Sequence, residues 1–124
     1  MWWPSRKQDT SAPPPGTRVY AIGDIHGCLE RLKLLQQAIL EDRDAAPESR
    51  FVLVYVGDYV DRGPDSHEVI DHLLNAPLPG LETIHLKGNH EEFMQRFFEG
   101  DLEVGGGWIA NGGREALISY GVNV

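Results

Sequence analysis

Acidic, histidine and amide side chains follow three separate apolar runs in this sequence, each time close behind a glycine. The segments are residues 23–27 (GDIHG), 57–63 (GDYVDRG) and 88–91 (GNHE). Carboxylates and imidazoles are common ligands of divalent metal ions, and an arginine fork matches two phosphate oxygens. The three segments therefore predict one site, assembled from three loops, that holds cations against a phosphate.

Four residues of these segments have the chemistry of metal ligands. Asp24 and His26 lie two positions apart, so in extended backbone their side chains project to the same side and form half of a site for a divalent transition metal. Asp58 follows the next strand, and its two oxygens can bridge two cations about 3.5–4 Å apart. Asn89 offers a neutral amide oxygen to a second ion.

Three other residues are suited to substrate chemistry. His90 directly follows the ligand Asn89 and is the freer of the two to act as an acid or to donate to a phosphate. Asp61 can accept a hydrogen bond from His90, which would fix the tautomer of the imidazole ring. Arg62 carries a fork of donors that matches phosphate oxygens. We also expect Glu91 to support its loop rather than bind metal.

Strands and helices alternate around these segments. Strands are predicted at residues 18–22, 51–56 and 82–87, and helices at 28–42, 66–74, 91–98 and 114–120. This order predicts an α/β fold with parallel strands, flanking helices and right-handed crossovers. In such sheets ligands bind beyond the carboxyl ends of the strands, where all three segments fall. The glycine-rich residues 105–113 are predicted to be flexible.

Composition limits the classes of function. The chain has 124 residues and a formal net charge of −8, which argues against broad binding to nucleic acid or to an anionic membrane. No apolar run reaches the length of a membrane span. A single cysteine, Cys28, excludes an intramolecular disulfide and is compatible with a reducing compartment, so we expect a cytoplasmic protein. Residues 1–17 are polar and proline-rich, which predicts a disordered tail before a domain at 18–124.

The simplest alternative is that the glycine-bounded acids are only turns. A Gly-Asp pair after a strand is often a turn and nothing more. Three strand ends that all carry metal-binding residue types make that interpretation a poor one. The remaining histidines, His67, His72 and His85, are predicted on a helix surface or within a strand, and none is assigned a metal role.

In order and spacing, the three segments resemble the signatures of the calcineurin-like metallophosphoesterases. The resemblance covers about residues 18–92 and is closest to the phosphoprotein phosphatase branch, which includes serine/threonine protein phosphatases and diadenosine-tetraphosphate hydrolases. It implies two divalent metal ions (Mn, Fe or Zn), and a metal-bound hydroxide that attacks phosphorus in line. The implied ligands are Asp24, His26 and Asp58 for the first ion, and Asp58 and Asn89 for the second.

The same resemblance implies the catalytic residues. His90 would protonate the leaving oxygen with support from Asp61, and the phosphate would contact Arg62, Asn89 and His90. The implied function is a serine/threonine phosphoprotein phosphatase. The alternative within the branch is a symmetrical dinucleoside-polyphosphate hydrolase, so the expected substrate is a phosphorylated protein or a dinucleoside polyphosphate.

The chain also departs from the family pattern. The family completes its second metal site with two histidines well downstream, but no histidine follows His90 here, and Arg114 is the only stand-in for a second phosphate-binding arginine. The family fold is a two-sheet sandwich, of which this chain would hold only the amino-terminal half. We therefore expect an incomplete second metal site and a sheet with one uncovered face. These departures leave two alternatives open, a non-catalytic metal-binding fragment and a dimer that pairs uncovered sheet faces.

Overall fold

Three parallel strands form a single sheet in the structure, a computed structural model that describes residues 11–124. The strands are β1 (Thr17–Ile22), β2 (Arg50–Tyr55) and β3 (Glu82–His85), in the order β1-β2-β3. Their register places Tyr20 opposite Leu53, and Leu53 opposite Thr83. The predicted α/β fold with parallel strands is confirmed.

Five α-helices accompany the sheet within the described residues. They are α1 (Leu29–Ala45), α2 (Ser66–Asn75), α3 (Asn89–Phe98), α4 (Leu102–Trp108) and α5 (Arg114–Ser119). The prediction of a flexible segment at 105–113 is wrong, because α4 includes its first four residues. A kinked connection, Ile109–Gly113, then joins α4 to α5.

The hydrophobic core lies between the helices and one face of the sheet. Leu53 and Tyr55 of β2 are 0% and 2% exposed, and Ile22 belongs to the same buried cluster. Leu32 of α1 and Val69 of α2 pack into this cluster. Crossovers between parallel strands are right-handed in nearly all sheets, and in the order β1-β2-β3 that rule places both helices on one side, in agreement with a core on one sheet face.

Within residues 11–124 the opposite sheet face is uncovered at its two outer strands, while Val52 of the central strand is buried on it. Val19 of β1 and Ile84 of β3 are 44% and 47% exposed, and Ala21 is exposed beside them. Side chains alternate between the faces of a strand, so these residues point away from the helices. The structure therefore agrees with the expectation of one uncovered face.

The predicted tail falls mostly outside the described part of the chain. Residues 1–10 are not described, and residues 11–16 are exposed, with a turn in which the Thr17 backbone N–H donates to the Pro14 carbonyl oxygen at 3.1 Å. No helix in residues 11–124 has the length and apolar character needed to cross a membrane.

Candidate active site

Three loops meet at the carboxyl ends of the strands, and we name them by residue range. The first is 23–28, the second 56–65 and the third 86–88. Backbone bonds join the first two, because the N–H groups of Ile25 and His26 both donate to the Asp58 carbonyl oxygen at 2.9 Å. Gly27 N–H donates to the Tyr59 carbonyl oxygen at 2.8 Å. The parallel order of the sheet therefore brings together residues that are distant in sequence.

Glycines allow these loops to touch. A Cβ atom at Gly63 would lie 2.2 Å from the His26 carbonyl oxygen, and one at Gly88 would lie 2.0 Å from Asp58 Oδ1. Both distances are far below van der Waals contact. Gly63 and Gly88 are thus needed for the packing of one loop against the next.

The backbone is strained at four residues of the site. Within residues 11–124, the non-glycine residues with positive φ are His26 (44°), Asp58 (56°), Asp61 (78°) and Arg62 (69°). Such conformations cost of order 1–3 kcal/mol each and persist only where the surroundings enforce them. All four were predicted site residues, so the backbone strain lies at the residues whose side chains the site uses.

The Glu91 carboxylate ties the second loop to the third. Its Oε1 accepts from the backbone N–H groups of Asp58 at 2.6 Å and Gly88 at 3.0 Å. Its Oε2 accepts from Tyr59 at 2.9 Å and Val60 at 3.3 Å. Four donors leave this carboxylate little capacity for a metal, in agreement with the supporting role expected for Glu91.

Three side chains form a group that can hold a metal ion. The ligand atoms of His26, Asp58 and His90 all lie within 4.8 Å of one another. His26 Nδ1 lies 2.8 Å from the Val60 carbonyl oxygen, which can only accept, so Nδ1 carries the proton and Nε2 keeps a free lone pair. That Nε2 lies 3.7 Å from Asp24 Oδ2. The orientation of His26 therefore suits a metal ligand.

The Asn89 side chain lies beside the same group. With its nitrogen facing the Asp58 carboxylate, the amide donates to both carboxylate oxygens at 3.2 Å. Imidazole, carboxylate and amide oxygen together make a donor set that fits a divalent transition metal.

His90 and Asp61 form a buried pair beside this group. His90 Nδ1 lies 2.7 Å from Asp61 Oδ2, and the two side chains are 8% and 0% exposed. Burial raises the pKa of the Asp61 carboxyl above its ordinary value, while the hydrogen bonds from His90 and Trp108 act in the opposite direction. The structure thus pairs the two residues as the sequence predicted.

Trp108 is a site residue that the sequence prediction missed. Its indole Nε1 donates to Asp61 Oδ2 at 2.7 Å. The only signal in the sequence was a tryptophan inside a glycine-rich segment, where a buried indole N–H needs an acceptor. Because residues 105–113 were predicted to be flexible, no role in the site was predicted for Trp108.

Arg62 lines an open cleft on the other side of the second loop. The cleft has a volume of about 600 Å³ and also contains Asn111, Gly112 and Arg114. Within residues 11–124 neither guanidinium has a hydrogen-bond or ion-pair partner, whereas the Arg62 backbone N–H donates to the Gly112 carbonyl oxygen at 3.0 Å. Two arginines are therefore available to an anion here.

The structure brings most of the predicted site residues together. Asp24 lies at the rim, with its side chain 64% exposed, and Arg62 lies at the adjoining cleft. His90 was predicted as the proton donor and a phosphate contact, and its ring also belongs to the group that can hold a metal. Of the remaining four residues, His26 and Asp58 are members of that group, and Asp61 and Asn89 lie beside it.

Comparison with known proteins identifies the family. The family model for calcineurin-like phosphoesterases matches residues 17–122. The chain belongs to the calcineurin-like phosphoesterase family. The family prediction made from the three loop segments is confirmed, and with it the assignment to a family of metal-dependent hydrolases.

Curated relatives of this calcineurin-like phosphoesterase include two kinds of enzyme. Bis(5'-nucleosyl)-tetraphosphatase PrpE [asymmetrical] of Anoxybacillus flavithermus is 37% identical over 83 residues, which are 64% of this chain and 33% of the relative. Serine/threonine-protein phosphatase 2 of Escherichia coli is 38% identical over 96 residues, 77% of this chain and 38% of the relative. Rat serine/threonine-protein phosphatase with EF-hands 1 is 36% identical over 81 residues, 64% of this chain and 12% of the relative. The chain thus spans little more than a third of the bacterial relatives.

Proposed function

We propose that this chain carries the metal-binding part of a phosphoric ester hydrolase, and that its preferred substrate is a serine/threonine phosphoprotein. The observation that supports the proposal best is the meeting of His26, Asp58 and His90 at one point, where three loops converge. The similarity to serine/threonine-protein phosphatases adds support. The cytoplasm is the location we propose, on the basis of the single cysteine and the acidic composition.

The metal ligands we assign are those of the three loops. Asp24, His26 and Asp58 would hold one cation, and Asp58 with Asn89 would hold a second, whose site is incomplete within this chain. Mixed imidazole and oxygen ligands suit Mn, Fe or Zn. Bound cations would polarise the phosphoryl oxygens and lower the pKa of a water molecule, which supplies the nucleophile for in-line attack.

Protein side chains bind the phosphate and protonate the leaving oxygen. Arg62 binds phosphate oxygens through its fork of donors, and Asn89 is close enough to contribute. Because His90 Nδ1 is bonded to Asp61, the proton transferred to the leaving oxygen comes from Nε2 as the P–O bond breaks. Asp61 stabilises the ring in the orientation that this transfer requires.

One observation favours a second substrate class, the dinucleoside polyphosphates. The cleft beside the site offers Arg62 and Arg114, both without protein partners in residues 11–124, and two arginines can contact successive phosphates of a chain. Turnover of a phosphopeptide and of diadenosine tetraphosphate, measured side by side, distinguishes the two classes. A clear preference for the polyphosphate would reverse our assignment, and the products would tell symmetrical from asymmetrical cleavage.

The test of the function uses two substitutions at the centre. We expect hydrolysis of an aryl phosphate with Mn²⁺, and a loss of about 100-fold or more in Asp58→Asn and His90→Asn, because each removes a ligand or the proton donor. Asp44→Asn changes an exposed carboxylate of α1 and serves as the matched control. Activity that survives both central substitutions would contradict the assigned roles.

A non-catalytic metal-binding fragment is the rival interpretation, since no histidine follows His90. Titration calorimetry with Mn²⁺ separates the two. Two bound ions with turnover support the enzyme, whereas one bound ion without turnover supports the fragment. We also propose that two copies pair through the uncovered sheet face.

A further inference from the structure

Trp108 links the glycine-rich part of the chain to the candidate active site. Its side chain is 2% exposed, and its indole Nε1 donates to Asp61 Oδ2 at 2.7 Å across 47 residues of sequence. Hydrogen bonds to ionised acceptors are about twice as strong as neutral ones. The residue therefore does more than fill space at the end of α4.

The Asp61 carboxylate has few other restraints. The same oxygen, Oδ2, accepts from His90 Nδ1 at 2.7 Å, while Oδ1 has no hydrogen-bond partner within residues 11–124. The Asp61 backbone N–H donates to Ser66 Oγ at 2.9 Å, a bond that holds the main chain and does not involve the carboxylate. Trp108 is the second donor that fixes where Oδ2 lies, and the position of Oδ2 sets the direction of the His90 ring.

The indole ring is itself held firmly. Its centroid lies 5.0 Å from that of Phe97 and 6.4 Å from that of Phe98, both in α3. On the other side, a Cβ atom at Gly113 would lie 2.4 Å from Trp108 Cδ2, so only glycine lets the Ile109–Gly113 connection pack against the ring. Because these neighbours hold the indole ring in place, its N–H can hold Asp61 Oδ2 in one position.

We propose that Trp108 is a positioning residue for His90, acting through Asp61 Oδ2. This proposal rests on the proposed role of His90 as the proton donor. It places the segment 105–113 within the functional machinery, although none of its residues needs to touch the substrate. The competing view is that Trp108 is only a core residue, in which case its N–H could be removed without effect on the ring of His90.

The first experiment measures the His90 ring directly and needs no turnover. In ¹H–¹⁵N spectra of the metal-free chain, we expect the Nδ1–H signal of His90 to be visible because the bond to Asp61 protects it from solvent exchange. Trp108→Phe keeps an aromatic ring but removes the N–H, and we expect this signal to disappear through fast exchange. Phe97→Leu disturbs the same packing while keeping the indole N–H, and the signal should remain.

A replacement that preserves shape covers the case in which Trp108→Phe does not fold. Benzothienylalanine at position 108 puts sulfur in place of the N–H in a ring of almost the same size. We expect the His90 Nδ1–H signal to disappear here too. An unchanged signal in a folded variant without the N–H would overturn the proposal.

The second experiment uses the dependence of rate on the leaving group. An alkyl phosphate needs protonation of its leaving oxygen, whereas nitrophenolate leaves with little help. We expect Trp108→Phe to lower kcat about tenfold to a hundredfold on the alkyl phosphate, the size seen for misplaced catalytic groups, with little change on the nitrophenyl ester or in KM. Equal losses on both esters would indicate a structural role only. Absence of turnover in the unmodified chain would refute the proposed function, while the spectra would still decide the role of Trp108.

Discussion

At the scale of single residues, the Glu91 carboxylate joins the second loop to the third. Four backbone N–H groups of two loops point at its two oxygens. Those loops carry Asp58 and the start of α3, so the position of one metal ligand depends on a carboxylate that binds no metal itself. Support of this kind is common around metal ligands and affects them strongly when it is lost.

Glu91→Gln is expected to destabilise the fold by about 3 kcal/mol. The substitution removes the charge and turns an amide donor toward backbone N–H groups, which leaves part-buried donors without acceptors. Urea denaturation measures the change. Glu92→Gln is the matched control, because the Glu92 side chain is 45% exposed and pairs with Lys87 at the surface, so we expect a much smaller change. Equal effects of the two substitutions would contradict the role of Glu91.

At the scale of elements, the site depends on how closely strand ends approach one another. Gly88 ends the third loop and immediately precedes α3, and a Cβ there would overlap Asp58 Oδ1. Any residue larger than glycine at position 88 would therefore displace the Asp58 side chain of the second loop. Local backbone preference does not explain this glycine, since its φ of −88° is open to any residue.

Gly88→Ala should abolish Mn²⁺ binding even if the chain still folds. The new methyl group displaces the Asp58 carboxylate, whose oxygen would lie 2.0 Å away. Titration calorimetry gives the affinity and circular dichroism reports the fold. Gly23→Ala is the matched control at the end of β1, where a Cβ meets nothing within 4 Å, and its affinity should stay near that of the unmodified chain. Normal binding by Gly88→Ala would refute the steric argument.

A second contact between elements joins β1 to the last turns of α1 and to the loop that follows it. Arg18 donates to Asp42 at 2.9 Å and to Glu48 at 3.0 and 3.1 Å. Hydrogen bonds from Arg18 lower the pKa of Glu48, and those from Tyr20 and then Arg18 lower the pKa of Asp42. A carboxyl whose pKa is lower in the folded state stabilises the fold above its unfolded pKa, and that contribution is lost as the pH falls.

Arg18→Gln is therefore expected to lower the urea midpoint at pH 7. The difference in midpoint between the variant and the unmodified chain should shrink as the pH falls below about 4, the ordinary range of carboxyl pKa values. The measurement is a series of urea titrations between neutral pH and the acid limit of folding. Arg31→Gln removes a charge that has no ion pair in residues 11–124 and serves as the control. A difference that does not vary with pH would show that the ion pairs are not its cause.

At the scale of the whole molecule, one sheet face is covered and the other is not. Exposed apolar residues such as Val19 and Ile84 occupy the uncovered face, and both outer strands are edges within the described residues. Exposed apolar faces of this kind mark sites of association. A second copy of the chain offers the same surface, which is the basis of the proposed dimer.

Sedimentation velocity tests that dimer. We expect a dimer at high concentration in the unmodified chain, and a monomer for Ile84→Lys because a charge would have to be buried in the contact. Leu34→Lys, at a residue of α1 that is 72% exposed on the helical side, should leave the dimer intact. A monomer in the unmodified chain at every concentration would end the proposal.

Sequence alone was sufficient for the parts of this protein that depend on local patterns. Apolar runs that end at glycine predicted the three strands, and their alternation with helices predicted that the strands are parallel. Asp24, His26, Asp58 and Asn89 were predicted to meet at the strand ends, and their role as metal ligands stays a prediction. Strand ends of a parallel sheet lie at one edge whatever the details of packing, so those residues had to approach one another. The family followed from the same segments.

Only the tertiary structure decided the contacts that support the site. The bond between Trp108 and Asp61 joins residues 47 positions apart and leaves no periodic pattern in the sequence. The four bonds to Glu91 and the ordering of 105–113 into helix depend likewise on packing against distant elements. Long-range contacts can override local propensity, and that is why a segment rich in glycine became part of the candidate active site.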